Sequence, residues 1–142
     1  MSGLKDSGGN PMTEDVESAF WEGVEQFNQQ EFYACHDTLE AIWMEAMEPQ
    51  RTFYQGILQI AVAFYHLDNA NLRGATILLG EGLNRLRRYQ PTYADVNVTA
   101  LVSQSTELLT KLQQAQWVEG AIAPNLLVTN LPTITLAIAP KN

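Results

Sequence analysis

The sequence predicts an all-α fold, a compact bundle of about five helices. Apolar residues recur at spacings of three and four in five successive segments, which is the period of a helix with one buried face. Prolines and capping residues punctuate those segments. The middle segment is apolar almost all the way round, as expected of the central helix of a bundle. A chain of 142 residues is long enough for one domain with a full core, and 46% hydrophobic against 17% charged residues is a globular composition.

The first helix is expected over about Glu14–Asn28, with Thr13 as N-cap and Glu14-Asp15 suiting the positive end of the helix dipole. Val16, Phe20, Val24 and Phe27 form its apolar face. Asn28-Gln29-Gln30 reads as a break. A second helix, about Glu31–Met47, carries Phe32, Cys35, Leu39, Ile42 and Ala46 on one stripe, with His36 and Trp43 beside it, and Pro49 ends it. The central helix, about Gln50–Asn69, is wrapped by Phe53, Ile57, Leu58, Ile60, Ala61, Val62, Phe64, Tyr65 and Leu67. Because only a few residues join the second and third helices, they are expected to pack as an antiparallel hairpin.

A fourth helix follows over about Leu72–Tyr89, with Leu72, Ala75, Leu79, Leu83 and Leu86 apolar and Arg85, Arg87 and Arg88 in its last turn, before Pro91. Gly74, Gly80 and Gly82 weaken it as a helix, and close approach of a neighbouring helix would explain them. Asn71-x-x-Gly74-Ala75-x-x-x-Leu79 looks like a tetratricopeptide-type helix, although no 34-residue repeat is evident. The connection Gln90–Ala94 leads to a fifth helix over about Val96–Gln116. The domain so defined is 13–117, preceded by a polar, Gly/Ser-rich segment, 1–12, expected to be disordered. Residues 118–142 are apolar, interrupted by Pro124, Pro132 and Pro140, and Ile134, Leu136 and Ile138 alternate as in a strand. This segment is expected as an extended tail on the bundle or on a partner subunit.

The charge balance is −8, and it is uneven: residues 1–50 hold eleven acids and one base, residues 51–142 five acids and seven bases. No clustered basic surface results, which argues against nucleic acid and against an anionic membrane surface as partners. No stretch is apolar for 18 residues, so no membrane span is expected, and with no signal-like segment the expected setting is cytoplasmic. Cys35, the sole cysteine, excludes an internal disulfide and reads as a packing residue. Glycine-rich phosphate loops and nucleophile elbows are absent.

One polar constellation interrupts the apolar faces. Gln55, Gln59 and His66 fall within about 40° of one another on the central helix. On the second helix His36 and Glu40 are neighbours four apart, while Asp37 points about 160° from Leu39, outward. The first account is structural: a wetted helix edge or a hydrogen-bond network that sets register. The second is a pocket between helices two and three for a small polar ligand or a divalent metal. Two imidazoles and a carboxylate, here His36, His66 and Glu40, are a recurrent ligand set for zinc or iron, although neither the H-E-x-x-H nor the Glu-x-x-His pattern occurs. Arg51, Gln55 and Gln59 would orient a ligand, and Trp43 and Tyr54 would wall it. No complete nucleophile–base constellation can be assembled, so no catalytic residue is assigned.

The ordered string His36-Asp37-x-x-Glu40-x-x-Trp43, Tyr54-Gln55-Gly56-x-x-Gln59-x-Ala61, His66 and Asn71-x-x-Gly74-Ala75-x-x-Leu78-Leu79 resembles the family catalogued as domain of unknown function 309, small all-helical prokaryotic and plastid proteins. The resemblance covers about residues 17–90. It implies an all-α fold and places the family's characteristic polar positions on His36, Glu40, Trp43, Gln59, His66 and Asn71; it implies no activity. The reading drawn from residues and resemblance together is a helical protein with a ligand or metal pocket. The alternative is a non-catalytic interaction module, a homo-oligomer using the tail and helix four as contact surfaces.

Overall fold

The computed structural model describes residues 13–117 and 131–137. The expectations for the segments 1–12, 118–130 and 138–142, Ile138 included, lie outside the described residues. The first helix, α1, spans Glu14–Asn28, and the Thr13 hydroxyl accepts from the Val16 amide at 3.2 Å as the N-cap reading requires. The next three are α2 (Phe32–Glu45), α3 (Gln50–Asp68) and α4 (Leu72–Leu86), the last extended by one 3-10 turn at Arg87–Tyr89. Successive helices pack on one another, and α5 (Val98–Trp117) closes the bundle against α4. The all-α bundle is therefore as expected: α1 and the starts of α3 and α4 coincide with the expected limits, and the other ends move by one to three residues.

α3 is the central element: Phe53, Tyr54, Ile57, Ile60, Ala61, Ala63, Phe64 and Leu67 are all buried. Its first turn is closed from outside the helix, because the Glu48 carboxylate accepts from both the amide (3.1 Å) and the hydroxyl (2.7 Å) of Thr52. Those bonds hold the Glu48 carboxyl below the ordinary carboxylate range. Their contribution is therefore present at neutral pH and lost in acid, as the carboxyl protonates. Cys35 is buried on α2, and burial pushes its thiol up to about 12, so it packs and does not react at neutral pH.

The four helices α1–α4 form two similar hairpins forty residues apart. Gln30 and Ala70 both adopt left-handed backbone, φ 64° and 60°, immediately after the first helix of each pair. The same closing bonds follow: the Glu31 amide donates to the Gln26 carbonyl, and the Asn71 amide to that of His66, both at 2.8 Å. Burial repeats at the same offset, Phe20 with Ile60, Val24 with Phe64, Phe27 with Leu67, Cys35 with Ala75 and Leu39 with Leu79. The period escapes a reading by residue identity because burial needs only an apolar side chain of suitable volume.

The connection before α5 differs from expectation. Thr92–Tyr93 (β1) and Val96–Asn97 (β2) pair antiparallel, so α5 begins at Val98 and not at Val96. Ala94 and Asp95 both have positive φ, 50° and 63°, the backbone of a tight two-residue hairpin turn. Neither residue is the glycine or asparagine that signals such a turn, so the sequence conceals it. Residues 131–137 run beside this hairpin: Leu136 bridges Val96, the Asn97 amide donates to the Thr135 carbonyl (2.8 Å), and that of Ala137 donates to the Asp95 carbonyl (2.9 Å). On its other side the Asn28 side-chain amide holds Ile134, donating to its carbonyl at 2.9 Å and accepting from its N–H at 2.8 Å. The strand-like alternation thus has its partner in the bundle, with Ile134 buried and Leu136 54% exposed.

Candidate functional site

Along α2, Tyr33, His36, Glu40 and Trp43 follow one another at three- and four-residue steps and share a stripe beside the buried face. His36 and Glu40 are half-buried and Asp37 is exposed. One ligand atom from each of His36, Asp37 and Glu40 lies within 4.8 Å of the other two, and His36 Nδ1 is 3.3 Å from Asp37 Oδ1. Two donors on one ion, each at about 2.1 Å, can be no more than about 4.2 Å apart, so a small side-chain adjustment would bring all three onto one cation. Three protein donors on an open helix face leave further coordination positions to solvent or ligand.

His66 does not join this group among the described residues. The two imidazoles stand at opposite ends of a row of four rings: His36 to Tyr33 is 6.4 Å between centroids, Tyr33 to Tyr65 is 5.7 Å, and Tyr65 to His66 is 6.2 Å. At the α3–α4 turn His66 Nδ1 instead lies 3.4 Å from the Asn71 side-chain nitrogen, which donates to it. Asn71 caps α4 through its Oδ1, accepting from the Gly74 amide at 2.9 Å. A side chain at Gly74 would meet Asn71 within 2.6 Å, which explains that glycine without a neighbouring helix. Of the expected set His36, Glu40 and His66, the structure thus brings the first two together, with Asp37 beside them, and leaves His66 at the α3–α4 turn. Asp37 points about 160° from Leu39, yet it lies only about 60° from Glu40, within reach of a flexible carboxylate.

The remaining expected site residues divide similarly. Gln59 faces α4: its oxygen accepts from Arg85 at 3.1 Å and its nitrogen donates to Glu81 at 3.2 Å. Tyr54 is a core residue, 1% exposed against Phe20 and Phe53, and burial pushes its hydroxyl up to about 12. Gln55 is half-buried on α3. Trp43 and Arg51 do meet, with the guanidinium 4.2 Å above the indole ring, a cation–π stack one turn beyond Glu40. The Trp43 Nε1 is buried without a hydrogen-bond partner. The expected site residues thus fall on an open polar face on α2, a Gln59 bridge between α3 and α4, and a capped turn at Asn71. The open grooves of the structure include one on α5, lined by Ser103, Thr106 and Lys111, and one beside residues 134–136, lined by Trp21 and Val24.

The repeated hairpin supplies an internal comparison. Forty residues after His36, Asp37, Glu40 and Trp43 stand Thr76, Ile77, Gly80 and Leu83 in α4. The second hairpin therefore reaches the same backbone and the same burial pattern without a single one of these polar groups.

Fold and site together define a protein of tandem helical hairpins that displays a His-x3-Glu-x2-Trp face on its second helix. Residues 20–78 match the family described as Domain of unknown function (DUF309), which bears out the resemblance drawn from the motifs and covers this face. The Bacillus subtilis (strain 168) "Uncharacterized protein YpuF" is 29% identical over 76 residues, 53% of this chain and 44% of that protein. The match thus spans less than half the length of that relative. Among the described residues no helix is long and apolar enough to cross a membrane.

Proposed function

We propose that the protein binds a divalent cation through His36, Asp37 and Glu40 on the open face of α2. The observation that carries this reading is the convergence of three ligand atoms within 4.8 Å on a helix whose structural equivalent, α4, carries Thr76, Ile77 and Gly80 at the same positions. An imidazole with two carboxylates suits zinc, manganese or iron better than calcium, which prefers an all-oxygen shell. Calorimetric titration of the full chain with Zn²⁺ and Mn²⁺ tests it. His36→Ala and Glu40→Gln are expected to weaken binding by about tenfold or more each, whereas His66→Ala leaves it unchanged. Equal affinity across the wild type and the first two variants would end the assignment.

A second reading, an interaction or oligomerisation module in a cytoplasmic setting, is favoured by the apolar side chains around the same face. Tyr33, Met44 and Met47 are 64%, 63% and 74% exposed, and Tyr65 adjoins Tyr33. Light scattering over a concentration series is expected to show a homo-oligomer that Tyr33→Ser with Met44→Lys disperses. A monomer at every concentration would remove this reading.

A further inference from the structure

We propose that the α2 face takes a phosphate-bearing small molecule, bound between the cation on His36, Asp37 and Glu40 and the guanidinium of Arg51. This rests on the cation reading above and adds the chemistry of the ligand. Arg51 is half-buried and laid on the Trp43 ring at 4.2 Å; its charge contributes to lowering the Glu48 carboxyl, but among the described residues no carboxylate lies within ion-pair distance of it. A partly desolvated guanidinium in that position gains most from an incoming anion. The stack also fixes its direction, since the planar group is held against the indole and keeps its fork of N–H donors for a ligand.

The geometry follows from the helix. Trp43 is three residues beyond Glu40, so their side chains are neighbours on the surface of α2, and the Arg51 charge on the Trp43 ring lies about one turn along the helix from Glu40 and about two from Asp37 and His36. A dianionic phosphate at the Glu40 end of the group would place one oxygen in the open coordination of the cation while another accepts from Arg51. At the forty-residue offset Trp43 corresponds to the buried Leu83 of α4, so the second hairpin lacks the ring on which Arg51 lies. The cation ligands and the Trp43 ring are thus departures of the first hairpin from the second, and Arg51, from the first turn of α3, lies on that ring. Arg85, which is occupied by Gln59, has no comparable freedom.

Methyl phosphate titrated into the full chain preloaded with Mn²⁺, followed by ³¹P relaxation, reads both parts. In the wild type, relaxation enhancement is expected only with protein and cation together. Arg51→Met, which keeps the aliphatic stem over Trp43, is expected to weaken methyl phosphate binding by about tenfold or more while leaving the calorimetric affinity for Mn²⁺ within about twofold. Arg51→Lys is expected to recover part of the loss, and acetate to bind more weakly than methyl phosphate. Failure of the wild type to bind Mn²⁺ would remove the cation reading and this ligand with it. Bound Mn²⁺ without methyl phosphate binding, or with binding that Arg51→Met does not alter, would overturn the phosphate assignment and leave the cation site standing.

Discussion

Phe64→Ala is expected to destabilise the protein by about 3–5 kcal/mol, the range for emptying a buried phenylalanine site. Phe64 is 1% exposed on α3 and meets Phe27 of α1 at 5.7 Å and Phe32 of α2 at 5.4 Å, centroid to centroid; those two rings are themselves 5.7 Å apart. Three helices therefore join at this one triangle of rings. The alanine removes both the apolar area and the edge-to-face contact with Phe32, and the surrounding rings are too rigid to collapse fully into the space. A domain of this size has only about 5–15 kcal/mol in total, so the melting temperature should fall by about 10 °C or more. Chemical denaturation with an unchanged slope measures the loss directly. A loss under about 1 kcal/mol would show that the triangle does not join the helices as described.

Gly82→Ala and Gly80→Ala are expected to act in opposite directions, although both lie in α4. Helix propensity favours alanine at either position by about 1 kcal/mol. At Gly80 nothing lies within 4 Å of an added Cβ, so that gain should be realised. At Gly82 the Cβ would meet the Gly56 carbonyl oxygen and Ile60 Cγ1, both at 2.8 Å. Gly56 faces it across the crossing of α3 and α4, where a Cβ would strike Leu86 at 2.8 Å. A carbonyl of the α3 backbone cannot step aside as a side chain can, so the two helices must separate. The expected net cost at Gly82 is about 1–3 kcal/mol. Stabilisation by both substitutions in parallel melts would refute the close crossing.

These two glycines show what the sequence could and could not disclose. Their presence within an otherwise strong helical pattern signals that something approaches closely. Spacing does not say that Gly82 is the contact, that Gly80 is open, and that Gly74 makes room for the Asn71 cap. The same holds of the polar residues. His36, Glu40 and Trp43 share a stripe by helical arithmetic alone, and that much was legible. Whether His66 on the next helix reaches them depends on where two helices cross and which way each side chain turns.

The sequence by itself determined the class of fold, the order and approximate limits of five helices, the buried face of each and the α2 stripe. All of these follow from residue types repeating at the period of a single helix. Tertiary structure alone decided the Ala94-Asp95 hairpin, the seating of residues 131–137 on Asn28 and β2, the forty-residue repeat of the hairpin, and the placing of Asp37, and not His66, beside His36 and Glu40. Each of those depends on contacts between residues distant in the chain, or on a backbone conformation that its side chains do not advertise. Periodicity is local, and the assembly of a site is not.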